Sequence, residues 1–298
     1  MKKNYQRIII LVILVILLLL YLLNSSLVIK SILDYTNLFL KKLFPVSFIF
    51  FIFSSLLLDY GLIELITTYL HLNGSTIYIT LMSLVSGFPS GAKYTKDLLD
   101  KNLISVKTAN YYITFTHFPN PLFILGSVNT IIKDNNLTLL ILASLIFSNI
   151  ITSIILKKGE IKKHQPTTNH PTRDFSKALS IAIINSIKTI ILIYGTSIFF
   201  YLIATILNHY LTLSTYPYIL LNGLFDLTKG VFSTALLSNE ILRCLLIILF
   251  ISMGGISIHM QVKGIITNTK IEYKYFLIGR IISTSFALSI FLLLLKFF

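Results

Sequence analysis

The chain opens on Lys2, Lys3 and Arg7 and then runs without a polar interruption from Ile8 to Leu23. That run slightly exceeds the ~7–15 residues of a signal-peptide core, and only Asn24-Ser25-Ser26 follows as a weak cleavage site, so residues 1–26 are expected to form a retained anchor. Leu27 to Lys42 scatters Lys30, Asp34, Lys41 and Lys42 through apolar sequence, the pattern of a helix lying in the membrane interface. Phe44 to Leu58 predicts a span, with Pro45 tolerated in its first turn. Thr76 to Ser86 is apolar but too short to cross a ~30 Å core. It meets Gly87-Phe88-Pro89-Ser90-Gly91 and then turns polar through Lys93, Lys96, Asp97 and Asp100, which predicts a re-entrant hairpin over 76–100. Ser105 to Ile132 is a long helix broken at Phe118-Pro119-Asn120-Pro121, and Leu137 to Leu156 is a clean span. Beyond a polar connector, Ala178 to Ser186 continues into a span of roughly Thr189 to Leu207, with Lys188 interrupting its flank near the interface. Leu245 to Ile251 runs into Ser252-Met253-Gly254-Gly255-Ile256-Ser257, which predicts a second hairpin at about 240–265, and Tyr275 to Leu295 closes the chain.

Composition agrees with that pattern. Of the 298 residues 55% are hydrophobic and 12% charged, with a mean hydropathy of +0.84. Soluble domains carry about 25% charged residues, so a soluble enzyme, a nucleic-acid binder and a disordered chain are poor readings. The expected fold class is an all-α polytopic membrane protein, with the lipid bilayer as a partner and nucleic acid excluded. The 25 Lys+Arg against 11 Asp+Glu give a formal net charge of +14, which bilayer topology accounts for. The connector 157–177 holds Lys157, Lys158, Lys162, Lys163, Arg173 and Lys177 against Glu160 and Asp174, so the positive-inside rule makes it cytoplasmic. Both ends of the chain are expected on that side. The lone cysteine, Cys244, excludes an intrachain disulfide.

The segments recur. Gly61-Leu62-Ile63-Glu64-Leu65 matches Gly223-Leu224-Phe225-Asp226-Leu227, and Gly87 and Ser90 match Gly254 and Ser257. These matches divide the chain into repeat units 27–156 and 178–298, with a hairpin in each. An odd number of crossings between them inverts the second unit, the arrangement of secondary transporters with a site near the midplane. In this scheme Lys263, Lys270 and Lys274 fall outside, against the charge rule.

Polar groups at membrane depth are costly, so Glu64, Asp226, Lys229 and Arg280 are singled out. Glu64 and Asp226 are coupling-ion candidates; Arg280 could meet an anion or snorkel to the surface. Half-helices beginning at Ser90 and Ser257 would present unpaired N–H groups and positive dipole ends that suit a carboxylate, unless these serines only cap their helices. Asn120, between two prolines, could expose free carbonyls or mark a plain kink. His117 and His259 read as packed histidines, and Tyr111 and Tyr112 as packing residues. There is no HExxH, no evident Ser/His pairing and no Walker A motif, so neither an enzyme nor a cofactor or metal is expected.

Gly87-Phe88-Pro89-Ser90-Gly91-Ala92-Lys93 and Pro121-Leu122-Phe123-Ile124-Leu125-Gly126 resemble the first half of the YlbJ/SpoVV-type sporulation integral membrane proteins. Gly223-Leu224-Phe225-Asp226-Leu227-Thr228 and the segment from Gly254 to Val262 resemble the second half. The resemblance implies a nucleoside-recognition (gate) architecture similar to concentrative nucleoside transporters. It further implies movement of a small solute during endospore formation, with dipicolinic acid as the family's substrate, in a bacterial inner or spore membrane. The chain departs from relatives at His117-Phe118-Pro119-Asn120 and at Met253, which bears on substrate identity. The candidate substrate-binding set is Gly87, Pro89, Ser90, Gly91, Asn120, Asp226, Thr228, Gly254, Gly255, Ser257 and Arg280. A nucleoside or nucleobase carrier and a non-transporting assembly protein of the spore membranes stay open as alternatives, as does a homo-oligomer.

Overall fold

The computed structural model describes residues 2–157 and 174–297; Lys158, Glu160, Lys162, Lys163 and Arg173 of the basic connector lie outside the described residues. All regular structure among the described residues is helical. The first half runs α1 Lys2–Leu23, α2 Ser25–Leu38, a π-helical turn Phe39–Leu43, α3 Phe44–Asp59, α4 Leu62–Leu70, α5 Gly74–Ser86, α6 Ser90–Asp100 and α7 Val106–Phe115. A second π-helical segment, Phe123–Val128, leads into α8 Asn129–Ile132 and then α9 Asn135–Leu156. The second half runs α10 Phe175–Tyr210, α11 Thr215–Phe225, α12 Leu227–Ser233, α13 Glu240–Met253, α14 Ile256–Ile266 and α15 Tyr273–Leu294.

Local chemistry starts many of these helices. Asn73, Ser105, Asp134, Asp226 and Asn239 each accept a backbone N–H three residues on, the usual side-chain N-cap. Among the described residues, five helices are long and apolar enough to cross a membrane: Tyr5–Leu23, Asn135–Leu156, Phe175–Tyr210, Glu240–Ile266 and Tyr273–Phe297. A sixth is reached if Ser47–Asp59 and Leu62–Tyr69, bent by 60°, count as one. The chain is an all-α polytopic membrane protein, as its composition requires.

Side-chain contacts fix how the helices run. Asn24 Nδ2 donates to the Tyr210 hydroxyl at 2.8 Å, the hydroxyls of Thr36 and Tyr194 lie 2.7 Å apart, and the Tyr60 ring meets that of Phe175 at 6.4 Å. The α2–α3 rod is therefore antiparallel to α10 along its whole length. The expected interfacial helix 27–42 is corrected: nothing between Leu38 and Phe44 breaks the helix, and the π-helical turn carries α2 into α3. At about 1.5 Å per residue, the 36-residue α10 is roughly 54 Å long, so in a ~30 Å core it either tilts or extends beyond it.

Tyr111 donates to Ser153 O at 2.9 Å and Asn149 Nδ2 to His117 O at 3.2 Å, which sets α9 antiparallel to α7–α8. Asn110 Oδ1 accepts from Glu272 N at 2.8 Å and Thr114 O from Arg280 at 3.0 Å, which sets α15 parallel to α7. The Lys101–Asp59 ion pair at 2.5 Å brings the end of α6 to the end of α3. One face of the bundle thus collects Asp59, Lys101, the end of α9, the start of α10 and the start of α15. We call it the connector face, and the other the far face.

Hairpin α5–α6 folds back on itself from the connector face. The second expected hairpin, at 240–265, is corrected. α13 and α14 do not pack against one another as hairpin arms; Glu240–Ile266 runs as one apolar span interrupted at Gly254–Gly255. The arms that do fold together are α11 and α12, entering from the far face with Asp226 at their turn. Glycine makes this possible: a Cβ on Gly230 would strike Gly223 Cα, so the two arms touch only because both positions lack a side chain.

The repeat survives in a different register. Ser86-Gly87, Ser90 and Lys93 match Asn222-Gly223, Asp226 and Lys229 at one constant spacing of 136. At that spacing hairpin α5–α6 matches α11–α12, broken helix α7–α8 matches α13–α14, and α9 matches α15. α4 falls on Ile198–Ile206 of α10, which runs on unbroken there, and Glu64 falls on Phe200, so the earlier pairing of Glu64 with Asp226 dissolves. Because α13–α14 crosses, Lys263, Lys270 and Lys274 come to the connector face. The same crossing carries the end of α15 to the far face, so the C-terminus and the connector do not share a side as expected.

Candidate functional site

Two hairpins from opposite faces and two interrupted helices converge on one cavity of about 330 Å³, within the ~300–1,000 Å³ range of small-molecule sites. Its walls are mainly apolar and aromatic, with Tyr35, Phe39, Phe88 and Phe123 among them. Its polar groups come from Ser47, Ser86, Asn120, Ser127, Ser197, Asp226, Thr228, Ser257 and Gln261, with the Tyr35 hydroxyl beside them. Asp226 is its one carboxylate, and no Lys, Arg or His is among the lining residues.

The backbone adds a field of its own. Pro89 stands at the start of α6, Leu122 and Phe123 at the resumption of the broken α7–α8 helix, Leu227 and Thr228 at the start of α12, and Ser257 and Ile258 at the start of α14. Each of these helix beginnings turns its positive end to the cavity, equivalent to roughly half an elementary charge apiece. Asp226 answers two of them: Oδ1 accepts from Lys229 N at 2.9 Å and Oδ2 from Ser257 Oγ at 3.2 Å. Asn120 caps a third, its Oδ1 accepting from Leu122 N at 2.8 Å.

Of the residues expected at the site, Pro89, Asn120, Asp226, Thr228 and Ser257 line the cavity. Ser90 is buried beneath it, bonded to Gly87 O. Gly87, Gly91 and Gly255 serve close backbone approach instead: a Cβ there would meet Asn120, Thr116 O and Gly223 O respectively. Gly254 holds a left-handed backbone (φ 73°) at the break in α13–α14, where a side chain is strained. Glu64 sits on α4, outside the cavity.

Arg280 neither lines the cavity nor reaches the surface. It is fully buried, with Nη1 donating to Ser252 O at 3.2 Å and Nη2 to Thr114 O at 3.0 Å and Asn149 Oδ1 at 2.9 Å. Its guanidinium lies 5.5 Å from the Phe276 ring centre. Thr114 and Ser252 are in the last turns of α7 and α13, where carbonyls lack helical partners and the dipole is negative. Two such ends together compensate about one positive charge, which explains a buried arginine with no carboxylate against it.

Lys93 and Lys229 occupy matching places in the two hairpins. Lys93 pairs with Asp97 at 2.6 Å and lies 5.3 Å from the Phe51 ring centre. Lys229 lies 4.3 Å from the Tyr201 ring centre and donates to Thr205 Oγ1, but Ser233 stands where Asp97 would be. His117 stacks on Phe88 at 4.8 Å, and His259 is held between the Tyr273 hydroxyl at 2.6 Å and Met253 O at 3.0 Å, so both are packed within the wall.

Sequence reasoning missed Tyr35, Ser197 and Gln261. Gln261 Nε2 donates to Ser197 Oγ at 2.7 Å, while its Oε1 is buried without a hydrogen-bond partner. Gln261 falls one turn after Ser257 on the same face of α14, a spacing already present in the sequence.

No family model matches the chain, and no solved structure does. It is similar to the sporulation integral membrane protein YlbJ of Bacillus subtilis (strain 168), with 26% identity over 303 residues, covering 86% of this chain and 74% of that protein. The chain is an integral membrane protein that resembles this sporulation membrane protein over most of its length.

Proposed function

We propose that this protein is a secondary carrier, not an enzyme, which moves a small anionic metabolite across a membrane in endospore formation by alternating access. The sporulation context rests on the similarity to YlbJ. The observation that carries the transport reading is the cavity's position: hairpins from opposite faces meet there, so either can open it without the other. Positive helix ends favour an anion, aromatic walls favour a flat ring, and the unpaired Gln261 Oε1 asks for a donor from the solute. A dipicolinate-like pyridine carboxylate combines these traits when it carries a proton.

The absence of lysine, arginine and histidine from the lining favours a second reading, a nucleoside or nucleobase carrier. Uptake into proteoliposomes, with dipicolinate, uridine and a pyridine monocarboxylate in parallel, separates the two. Gly126→Trp is the matched control. Gly126 lines the cavity and a Cβ there meets no heavy atom within 4 Å, so there is room for an indole, which is expected to obstruct the site. Saturable dipicolinate uptake abolished by Gly126→Trp supports the anion carrier, and uridine uptake alone replaces the substrate. Absence of flux for all three solutes from folded protein overturns the carrier reading in favour of an assembly role.

A further inference from the structure

Resting on the carrier reading above, we propose that the solute anion crosses together with a proton bound at Asp226, and that no alkali-metal cation takes part. The carboxylate sits in the wall of the cavity that the carrier reading assigns to an anion. Two negative charges in that low-dielectric space repel strongly, and one proton removes the conflict.

The surroundings of Asp226 fit a proton and not a metal ion. Oδ1 accepts the N–H of Lys229, Oδ2 accepts the Ser257 hydroxyl, and the Thr228 N–H also points at the carboxylate. Every contact presents a hydrogen, whereas a hard cation needs several oxygen lone pairs converging on it. A proton on Oδ2 needs only that the Ser257 hydroxyl rotate from donor to acceptor. Alternatively, the new O–H donates to a carboxylate of the solute. The proton comes from water on the side where the cavity opens and leaves to water on the other.

The ionisable groups facing Asp226 are few. Lys229 is on its own hairpin, Tyr35 comes from α2 and Tyr201 from α10. α14 offers the cavity only Ser257 and Gln261 as polar groups, and neither titrates. Lys229 turns its ammonium away to Thr205 Oγ1, Tyr201 O and the Tyr201 ring. Its nitrogen stays behind the hairpin turn, outside the cavity lining.

The test uses the full chain in proteoliposomes, with dipicolinate as solute. An inward-directed proton gradient is expected to raise initial uptake about fivefold or more, and a sodium gradient at constant pH to leave it unchanged. Asp226→Asn keeps a capping oxygen for Lys229 N, and in this variant the ratio of uptake with and without the proton gradient falls to about one. Stimulation by sodium, or a proton effect that persists in Asp226→Asn, overturns the inference while leaving the carrier reading intact. If no solute moves, the carrier reading falls and infrared spectroscopy of the purified protein decides alone. A protonated-carboxyl band that titrates with pH and is missing from Asp226→Asn establishes the proton site; its absence from the native protein overturns it.

Discussion

Nη2 of Arg280 donates to Oδ1 of Asn149 at 2.9 Å, and the same asparagine donates through Nδ2 to His117 O at 3.2 Å. Between them these two side chains reach the unpaired carbonyls of both interrupted helices. Arg280→Met leaves Thr114 O, Ser252 O and Asn149 Oδ1 without that donor. The expected loss is about 2–4 kcal/mol of stability, less what is regained by no longer burying a charge. Thermal unfolding in detergent measures it. Arg280→Lys should rescue little, since one ammonium cannot span acceptors on three helices. A double-mutant cycle with Asn149→Leu should show a coupling of about 1–2 kcal/mol.

The crossing of α13–α14 has a labelling consequence. In a Cys244→Ala background, Lys101→Cys and Lys270→Cys should react with an impermeant maleimide from one side, and Asn239→Cys and Lys133→Cys from the other. All four positions are exposed. Had residues 240–265 formed a hairpin, Asn239 and Lys270 would label from the same side; that result would reverse the topology of the second half.

Two glycines mark where helices touch without room for a methyl group. A Cβ on Gly91 would strike Thr116 O, and one on Gly279 would strike Thr114 O, main-chain atoms that cannot step aside. Gly91→Ala and Gly279→Ala should each cost about 3 kcal/mol or more. Size-exclusion chromatography should show loss of monodisperse protein, whereas Gly195→Ala, which meets nothing within 4 Å, should be neutral or slightly stabilising.

Much of this was legible in the residues, and the errors have physical causes. Length and hydropathy located the spans, and the run from Gly87 to Gly91 located the first hairpin turn, because short apolar arms and glycine tips leave local signals. The second hairpin left a weaker one. Asp226 interrupts α11–α12 by capping a new helix with its side chain, and no glycine stands at the turn itself. Gly254-Gly255, by contrast, announces a break without saying whether the chain goes on or turns back. That choice is made by α14 packing along α10 and α6, a long-range contact. Arg280 was misread for a related reason. Sequence shows a cation at depth, but not that the open ends of two distant helices converge on it. The basic residues Lys263, Lys270 and Lys274 carried the correct topology all along, since their charge opposed an external placement.

The unequal lysines of the two hairpins have a consequence of a different kind. On the connector side the arm carries its own counter-ion, Asp97 for Lys93; on the far side the acid has moved to the turn, as Asp226, and Lys229 is left to a ring and two oxygens. The frame is nearly symmetric, but the electrostatic path through it is not. A particle travelling one way meets the acid early, and one travelling the other way meets it late. In a carrier that inequality lets affinity and rate differ between the two sides, while the gradients across the membrane alone set which way net flow runs.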